Sequence, residues 1–225
     1  VKLEKAVRLA PSRATYHIVL AREYFQRFIA EAAKPAPDLQ VATGMVALAV
    51  EESKKSIEKS PNWAVAYEMA GVVYREIQGT AQGALEWAMK SFEDALKLEP
   101  KNPVVLTELG KLRLLTQENE KARELFNKAI ALKQDYIDAQ LQIAFLDDKE
   151  GKAQEAQGRL ENLVRLSPFS VEAHFQLGRV YYNAKDYDKA VEQFQTALTI
   201  FPNHSNSLYS LGLVYDRKGD KQKRG

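Results

Sequence analysis

The chain has 225 residues, 45% of them hydrophobic and 28% charged, which suits one or two ordinary domains or one array of small units. Its 32 basic and 30 acidic residues leave a formal charge of only +2, so no nucleic-acid partner and no anionic membrane is expected. The absence of cysteine excludes disulfides, thiolate nucleophiles and cysteine-ligated metals. The longest uncharged run, residues 39–50, is shorter than the roughly 20 residues of a membrane span, so no membrane insertion by this segment is expected.

Several stretches end in the same way, as an amphipathic helical run stopped by proline. Proline ends a helix because it lacks an amide donor and pushes the preceding residue out of the helical region. Pro168 and Pro202 are 34 residues apart, and Pro100 lies twice that distance before Pro168. The earlier intervals are longer, so the spacing predicts a unit of 34 residues with insertions in its early copies. The endings lie at Pro11, Pro61, Pro100, Pro168 and Pro202.

The predicted units form a single array that covers the whole chain, residues 1–225. Each unit is expected to hold two helices that cannot bury their apolar faces alone and therefore stack on their neighbours. In chain order they are a half-repeat at 1–13, a repeat with a long helical hairpin insertion at 14–63, a repeat with a five-residue insertion at 64–102, full repeats at 103–136, 137–170 and 171–204, and a half-repeat at 205–225.

The two early insertions differ in character. The insertion at 14–63 has helical composition except for a turn at residues 35–38, which predicts two helices about two turns longer than usual and a hairpin that protrudes. The five extra residues of the next unit lie near Trp87. We expect Trp87 to be mostly buried against the hairpin as part of a satellite core, and the alternative is an exposed partner site.

The residues inside each unit alternate between small and large apolar positions at helical spacing. In residues 171–204 they include Gly178, Tyr181, Ala190 and Phe194, and units 64–102, 103–136 and 137–170 repeat most of this set. The pattern resembles the tetratricopeptide repeat (TPR), in which small residues let paired helices approach and aromatic residues fill the gaps. The resemblance implies an all-α fold, a right-handed α-solenoid of antiparallel helix pairs.

A second resemblance is confined to residues 83–100, the run GALEWAMKSFEDALKLEP. This run is similar to the TPR tails of multi-spanning bacterial envelope proteins of the O-antigen ligase type. It implies an alternative in which the chain is a regulatory or assembly segment of a larger, membrane-anchored bacterial enzyme.

The sequence offers no arrangement of residues for catalysis. His17 and His174 occupy equivalent packing positions in separate units, and His204 lies beyond a helix-ending proline, so the three histidines form no ligand cluster by spacing. No phosphate-binding glycine loop, metal-binding histidine pair or nucleophile motif is present. We therefore expect no enzyme activity, no cofactor and no metal.

A binding role follows from the surface that the TPR resemblance implies, a concave groove lined by the first helix of each unit. In the later units this surface combines aromatic rings with amides, which suits burial of apolar side chains and capture of peptide amides. The earlier units offer charged residues instead, among them Glu68, Arg75 and Glu108. We expect a noncatalytic protein-interaction scaffold that binds a protein or peptide partner. The predicted groove residues are Gln142, Phe145, Phe175, Gln176, Arg179, Tyr182, Asn183 and Tyr209.

The first and last predicted half-repeats suggest a second kind of contact. Both are expected to bare apolar side chains, so that one molecule could dock on the next in a head-to-tail self-association. The sequence favours a soluble, cytoplasmic chain, with the extramembrane part of a membrane-anchored envelope protein as the alternative. The expected bare side chains are Leu3, Val7 and Leu9 at one end and Leu208, Leu211 and Tyr215 at the other.

Overall fold

The structure, a computed structural model, describes residues 2–79 and 81–219. These residues contain helices and no strand, which confirms the all-α class. The helices are α1 (Lys2–Leu9), α2 (Ala14–Ala32), α3 (Leu39–Lys59), α4 (Ala64–Glu76), α5 (Ala84–Leu98), α6 (Pro103–Leu115), α7 (Asn119–Leu132), α8 (Ile137–Lys149), α9 (Ala153–Leu166), α10 (Val171–Asn183), α11 (Tyr187–Ile200) and α12 (Ser205–Lys218).

The chain divides into two compact units, unit 1 (Val1–Glu118) and unit 2 (Asn119–Gly225). Helices α1–α6 belong to unit 1 and helices α7–α12 to unit 2. The division falls inside the predicted repeat 103–136, and the repeat boundaries given above stay a prediction.

Polar side chains fix the starts of several helices. Asp38 caps α3 by accepting hydrogen bonds from the backbone N–H groups of Gln40 at 3.0 Å and Val41 at 3.1 Å. Asn102 caps α6 in the same way, and proline follows it at the first helical position, where a missing N–H costs nothing. These caps satisfy amides that the first turn of a helix leaves without intrahelical partners.

Each unit contains a glycine that lets an aromatic ring lie directly against a helix backbone. In unit 2, a Cβ atom added at Gly178 would lie 2.6 Å from the ring of Phe194. In unit 1, a Cβ atom added at Gly71 would lie 2.6 Å from the ring of Phe92. Both rings are almost fully buried, so the close packing of the two helices in each pair depends on the absent side chain.

The hairpin of α2 and α3 is longer than the helix pairs that follow it. Helix α2 has 19 residues and α3 has 21, whereas α4 has 13. The difference of six to eight residues corresponds to about 9 to 12 Å of helix. Phe25 packs against Phe28 near the end of α2, with ring centroids 6.0 Å apart, while Leu39 at the start of α3 stays exposed.

The expectation that Trp87 is buried is wrong, because its side chain is 55% exposed. One face of the indole is covered by Tyr74, with ring centroids 6.2 Å apart in a stacked arrangement. Its other surroundings are an open hollow that α3 borders from the opposite side. The hairpin shares its apolar core with α4, and it borders the hollow beside the indole without closing over it.

The expected exposure of the first and last helices is found only in part. Leu9 in α1 and Leu208 in α12 are exposed. Tyr215 is buried instead, because α12 packs on α11 and the tyrosine hydroxyl accepts a hydrogen bond from Gln195 at 3.1 Å. Leu211 is half-buried against the core of unit 2, and the side chain of Leu3 lies outside the described residues.

Candidate functional site

Unit 2 contains a hollow of about 310 Å³ between α10 and α12. Five of the eight predicted groove residues line it, because they recur on one face of helices that pack side by side. The lining residues are Phe175, Arg179, Tyr182 and Asn183 of α10, Phe194 of α11, and Asn206, Tyr209, Ser210 and Leu213 of α12.

Phe175 forms the floor of the hollow and is also part of the core. Its side chain is only 8% exposed, and its ring centroid lies 6.0 Å from that of Phe194. The imidazole of His204 contacts it edge-on at 5.2 Å. Phe175, predicted as a groove residue, therefore lines the hollow and is at the same time part of the buried core.

The two tyrosines of the hollow differ in freedom. Tyr182 is half-buried, its ring lies 5.8 Å from that of Tyr187, and its hydroxyl accepts a hydrogen bond from Arg217 Nε at 3.4 Å. Tyr209 is 70% exposed and carries no such support within the described residues. The hollow thus has one fixed aromatic wall and one that can adjust to an occupant.

Polar groups surround the apolar floor. Arg179 Nη1 donates a hydrogen bond to Gln176 Oε1 at 2.6 Å, and Nη2 lies 3.9 Å from Asp148 Oδ2. In the part of the chain that the structure describes, the side chains of Asn183, Asn206 and Ser210 form no hydrogen bond. Their donors and acceptors are available to a bound peptide backbone.

Three predicted groove residues do not line the hollow. Gln142 and Phe145 lie on α8, half-buried and exposed respectively, and Gln176 instead supports the guanidinium of Arg179. Four residues that line the hollow were not predicted as groove residues, Phe194 of α11 and three residues of α12. The three on α12 follow one another at intervals of four and three residues, a spacing that places them on one helix face and could have identified them. They are Asn206, Ser210 and Leu213.

In unit 1, the first helices of the predicted repeats, α4 and α6, carry charged groups that bind one another on their groove face. Glu108 is buried and accepts hydrogen bonds from Arg75 and from Lys111 Nζ, the latter at 2.9 Å. Glu68 accepts a hydrogen bond from Asn102 Nδ2 at 2.7 Å. Burial raises the pKa of Glu68 above its usual value, and the nearby charge of Glu99 adds to the effect.

Unit 1 has a separate hollow of about 540 Å³ beside Trp87. Its walls are mostly apolar and come from α3 on one side and from the segment around α4 and α5 on the other. The residues that give it this character are Val46, Val50, Tyr74, Ile77 and Trp87.

In the described part of the chain, the histidines and acidic residues do not converge on a metal site. Among residues 2–79 and 81–219, no group of three or more His, Asp or Glu side chains is placed to hold an ion. His17 and His174 each contact the carbonyl oxygen of a helix-ending proline, Pro11 at 2.9 Å and Pro168 at 3.0 Å. Over the same described residues, no helix is both long enough and apolar enough to cross a membrane.

The paired helices with glycine-to-ring packing place the chain in the class of helical-repeat proteins. Family models of the tetratricopeptide repeat match residues 80–144 and residues 171–204. The chain therefore contains tetratricopeptide repeats, as its sequence pattern predicted. These comparisons do not show the resemblance of residues 83–100 to tails of the O-antigen ligase type.

Solved structures share the fold at low identity. YrrB, described as a TPR protein with an unusual peptide-binding site, is 22% identical, with a TM-score of 0.60 over 92% of this chain and 96% of that one. PilW, described as a widely conserved type IV pilus biogenesis factor, is 17% identical, with a TM-score of 0.74 over 94% of this chain and 88% of that one. At these identities the likeness establishes the fold alone.

Curated relatives are longer proteins. Superkiller protein 3 of Schizosaccharomyces pombe is 26% identical over 164 residues, which are 73% of this chain and 10% of that protein. Protein O-mannosyl-transferase Tmtc3 of Drosophila melanogaster is 29% identical over 121 residues, 53% of this chain and 13% of that protein. TPR repeat-containing protein MJ1428 of Methanocaldococcus jannaschii is 27% identical over 191 residues, 78% of this chain and 33% of that protein. The chain thus spans a tenth to a third of their lengths.

Proposed function

We propose that the chain is a noncatalytic protein-interaction module and that the hollow of unit 2 binds a bulky side chain of an extended peptide. The observation that carries this proposal is the hollow itself, with aromatic rings on its floor and walls and amide groups without internal partners around them. Proteins with tetratricopeptide repeats generally act as interaction scaffolds, and the chain contains such repeats.

The lining chemistry suits a peptide ligand. A buried ring or branched side chain gains about 1.5 to 3 kcal/mol from burial, and the rings of Tyr182 and Tyr209 provide the surface for it. The side chains of Asn183 and Asn206 each offer a carbonyl oxygen and an amide donor, which match the N–H and C=O groups of an extended backbone. The similarity to YrrB, a TPR protein described with a peptide-binding site, supports the same assignment.

A peptide array screened with this protein tests the proposal. We expect Tyr209→Ala to weaken binding of the selected peptides by on the order of 2 kcal/mol, because exposed aromatic anchors dominate interface energies. Phe169→Ala is the matched control, since Phe169 is also an exposed aromatic residue of unit 2 but does not line the hollow. Equal losses in the two variants, or no loss in either, would place the peptide elsewhere.

A second candidate function is that of a regulatory or assembly segment within a larger, membrane-anchored envelope enzyme. It is favoured by the small share of its relatives that the chain covers and by the naming of one of them, Tmtc3 of Drosophila melanogaster, as a protein O-mannosyl-transferase. Sequencing the complete gene tests it. The proposal requires membrane-spanning and catalytic segments outside residues 1–225, and a gene that encodes neither would eliminate it.

Head-to-tail self-association is the third element of the proposal. Exposed Leu9 on α1 and exposed Leu208 on α12 are the side chains that would meet. Light scattering across a dilution series is expected to show a mass that rises with concentration, and Leu208→Lys should remove the rise. A monomer at about millimolar concentration contradicts the idea, since apolar contacts of this kind form with weak affinity.

A further inference from the structure

We infer that the hollow of unit 2 selects an aromatic side chain that lies next to a carboxylate. This inference rests on the proposed function and deepens it, because it specifies the chemistry of the peptide residue that is bound. It follows from two properties of the hollow, the rings that form its apolar part and the incompletely satisfied guanidinium at its edge.

The apolar part suits a ring better than an aliphatic chain. Phe175, Tyr182, Phe194 and Tyr209 all line the same hollow. Aromatic rings gain from offset-stacked or edge-to-face contacts in addition to the area they bury. A dry apolar cavity of about 150 Å³ accommodates benzene. The hollow here has about 310 Å³, so one aromatic side chain and part of the adjoining backbone fit into it.

Arg179 supplies the carboxylate recognition. A guanidinium has five N–H donors in a planar fork that matches the two oxygens of a carboxylate. One donor of Arg179 is used by Gln176 at 2.6 Å, and the distance of 3.9 Å from Nη2 to Asp148 Oδ2 is too long for a hydrogen bond. Arg217 adds a second cation beside Tyr182. Within the described residues, the guanidinium of Arg179 therefore has no anion at hydrogen-bonding distance.

Asp148 acts as a competitor of the ligand in this arrangement. Its carboxylate is near enough to attract Arg179 and too far to hold it, so a ligand carboxylate at about 2.8 Å replaces a weak internal partner by a strong one. Removing the charge of Asp148 removes this competition, so the guanidinium of Arg179 should bind a ligand carboxylate more strongly. If Arg179 only supported the fold, removing the charge of Asp148 would not strengthen the binding of a ligand carboxylate.

The ligand carboxylate has two sources, an acidic side chain or the end of a peptide chain. A fluorescent peptide with blocked ends, Gly-Ser-Gly-Phe-Asp-Ser-Gly, probes the first source, and one that ends in phenylalanine with a free carboxylate probes the second. Matched peptides replace Asp by Asn, Phe by Ala, or the free end by an amide. Fluorescence polarisation with this protein is expected to show about tenfold weaker binding for each replacement in at least one of the two sets.

Two variants with a control then assign the effect to this site. Arg179→Gln should abolish the preference for the carboxylate and retain the preference for the ring. Asp148→Asn should strengthen binding of the carboxylate peptides by about threefold or more and leave the neutral peptides unchanged. Arg165→Gln, at an exposed arginine of α9 outside the hollow, should change neither.

The outcomes separate the inference from the function on which it rests. Binding of aromatic peptides that Tyr209→Ala weakens, but with no preference for the carboxylate or no effect of Arg179→Gln, overturns the inference and leaves the proposed function in place. If the array and both peptide sets fail to bind, the proposed function itself fails. A carboxylate preference that survives Arg179→Gln also overturns the inference.

Discussion

Helices α4 and α10, one in each unit, show how one packing scheme supports two different surfaces. In unit 1, the ring of Phe92 lies against Gly71, and in unit 2, the ring of Phe194 lies against Gly178. The face beside the first pair is filled by ion pairs around Glu108, whereas the face beside the second pair is an aromatic hollow. The buried glycine-to-ring contact is thus the same in both units, whereas the residues of the exposed face differ.

The difference arises at a few equivalent positions. Counted from the start of each helix, Glu68 and Arg75 of α4 correspond to Phe175 and Tyr182 of α10. The charged pair finds partners within unit 1, so its polar groups are already satisfied. The aromatic pair leaves a hollow whose neighbouring amides have no partner in the described chain. A surface whose polar groups already bind one another has fewer free donors and acceptors for a ligand.

The largest expected effect is a difference in stability loss between the two units when the fifth residue of α10 or of α4 is replaced by alanine. Phe175→Ala should lower the free energy of unfolding by about 3 kcal/mol, because the ring packs on Phe194 and His204 beneath the hollow. Glu68→Ala should cost less than about 1 kcal/mol, because it removes a half-buried carboxylate with one hydrogen bond. Urea denaturation followed by circular dichroism measures both, and equal costs would refute the division between aromatic core and charged face.

The second prediction tests what the two units share. Gly71→Ala and Gly178→Ala should each destabilise the protein by about 1 to 3 kcal/mol, because the new methyl group meets an aromatic ring at 2.6 Å. Gly44→Ala is the matched control, since Gly44 also lies inside a helix but its side-chain position is open. That substitution should stabilise the helix by about 0.5 to 1 kcal/mol. Thermal melts of the three variants decide whether the glycine-to-ring contact is needed in both units.

Some of this structure could be predicted from the sequence because it depends on local periodicity. Gly178 and Phe194, together with the prolines that end helices, mark the repeat without any knowledge of distant contacts. The exposure of Trp87 could not be predicted, because it depends on whether the long hairpin folds over the indole or only packs on α4. The part that Asn206 plays in the hollow was missed for a related reason, since it depends on the packing of α12 beside α10.

Helical spacing in the sequence placed Phe175 and Tyr209 on one predicted face, but it did not indicate how deeply each side chain is buried. Phe175 and Tyr209 both line the hollow, yet one is buried and the other largely exposed. Both are the fifth residue of their helices, so helical spacing alone treats them as equivalent. The contacts of Phe175 with Phe194 and His204 come from other elements, and these contacts determine its burial.

The third prediction compares the two histidines, each the fourth residue of its helix. His17 Nδ1 lies 2.7 Å from the buried carboxylate of Glu52, whereas His174 Nδ1 lies 2.8 Å from the amide oxygen of Gln193. Glu52→Ala should cost about 2 kcal/mol, because it removes a charged hydrogen-bonding partner that also binds Lys55. Gln193→Ala should cost about 1 kcal/mol, the value of a neutral hydrogen bond.

Urea unfolding at neutral pH distinguishes the two costs. The hydrogen bonds to Glu51 and Glu52 raise the pKa of Lys55 to about 12, so Lys55 stays charged and loses one of its two acceptors in Glu52→Ala. A Gln193→Ala variant that is as unstable as Glu52→Ala would show that the charge at unit 1 adds nothing to the hydrogen bond.

The smallest expected effect is the pH dependence of the charged face. Burial, reinforced by the charge of Glu99, raises the pKa of Glu68 above its usual value of 4.5 in the folded protein. The folded state therefore binds a proton more tightly than the unfolded state, and stability is lost as the pH rises from the unfolded pKa through the raised folded one.

Glu68→Gln keeps an acceptor for Asn102 and cannot ionise. Its free energy of unfolding should equal that of the parent at about pH 4 and exceed it at neutral pH by less than about 1 kcal/mol, because Glu68 is only partly buried. Urea unfolding at the two pH values measures the difference, and a variant that falls below the parent at neutral pH would mean that the Glu68 carboxylate stabilises the face of unit 1 in its charged form.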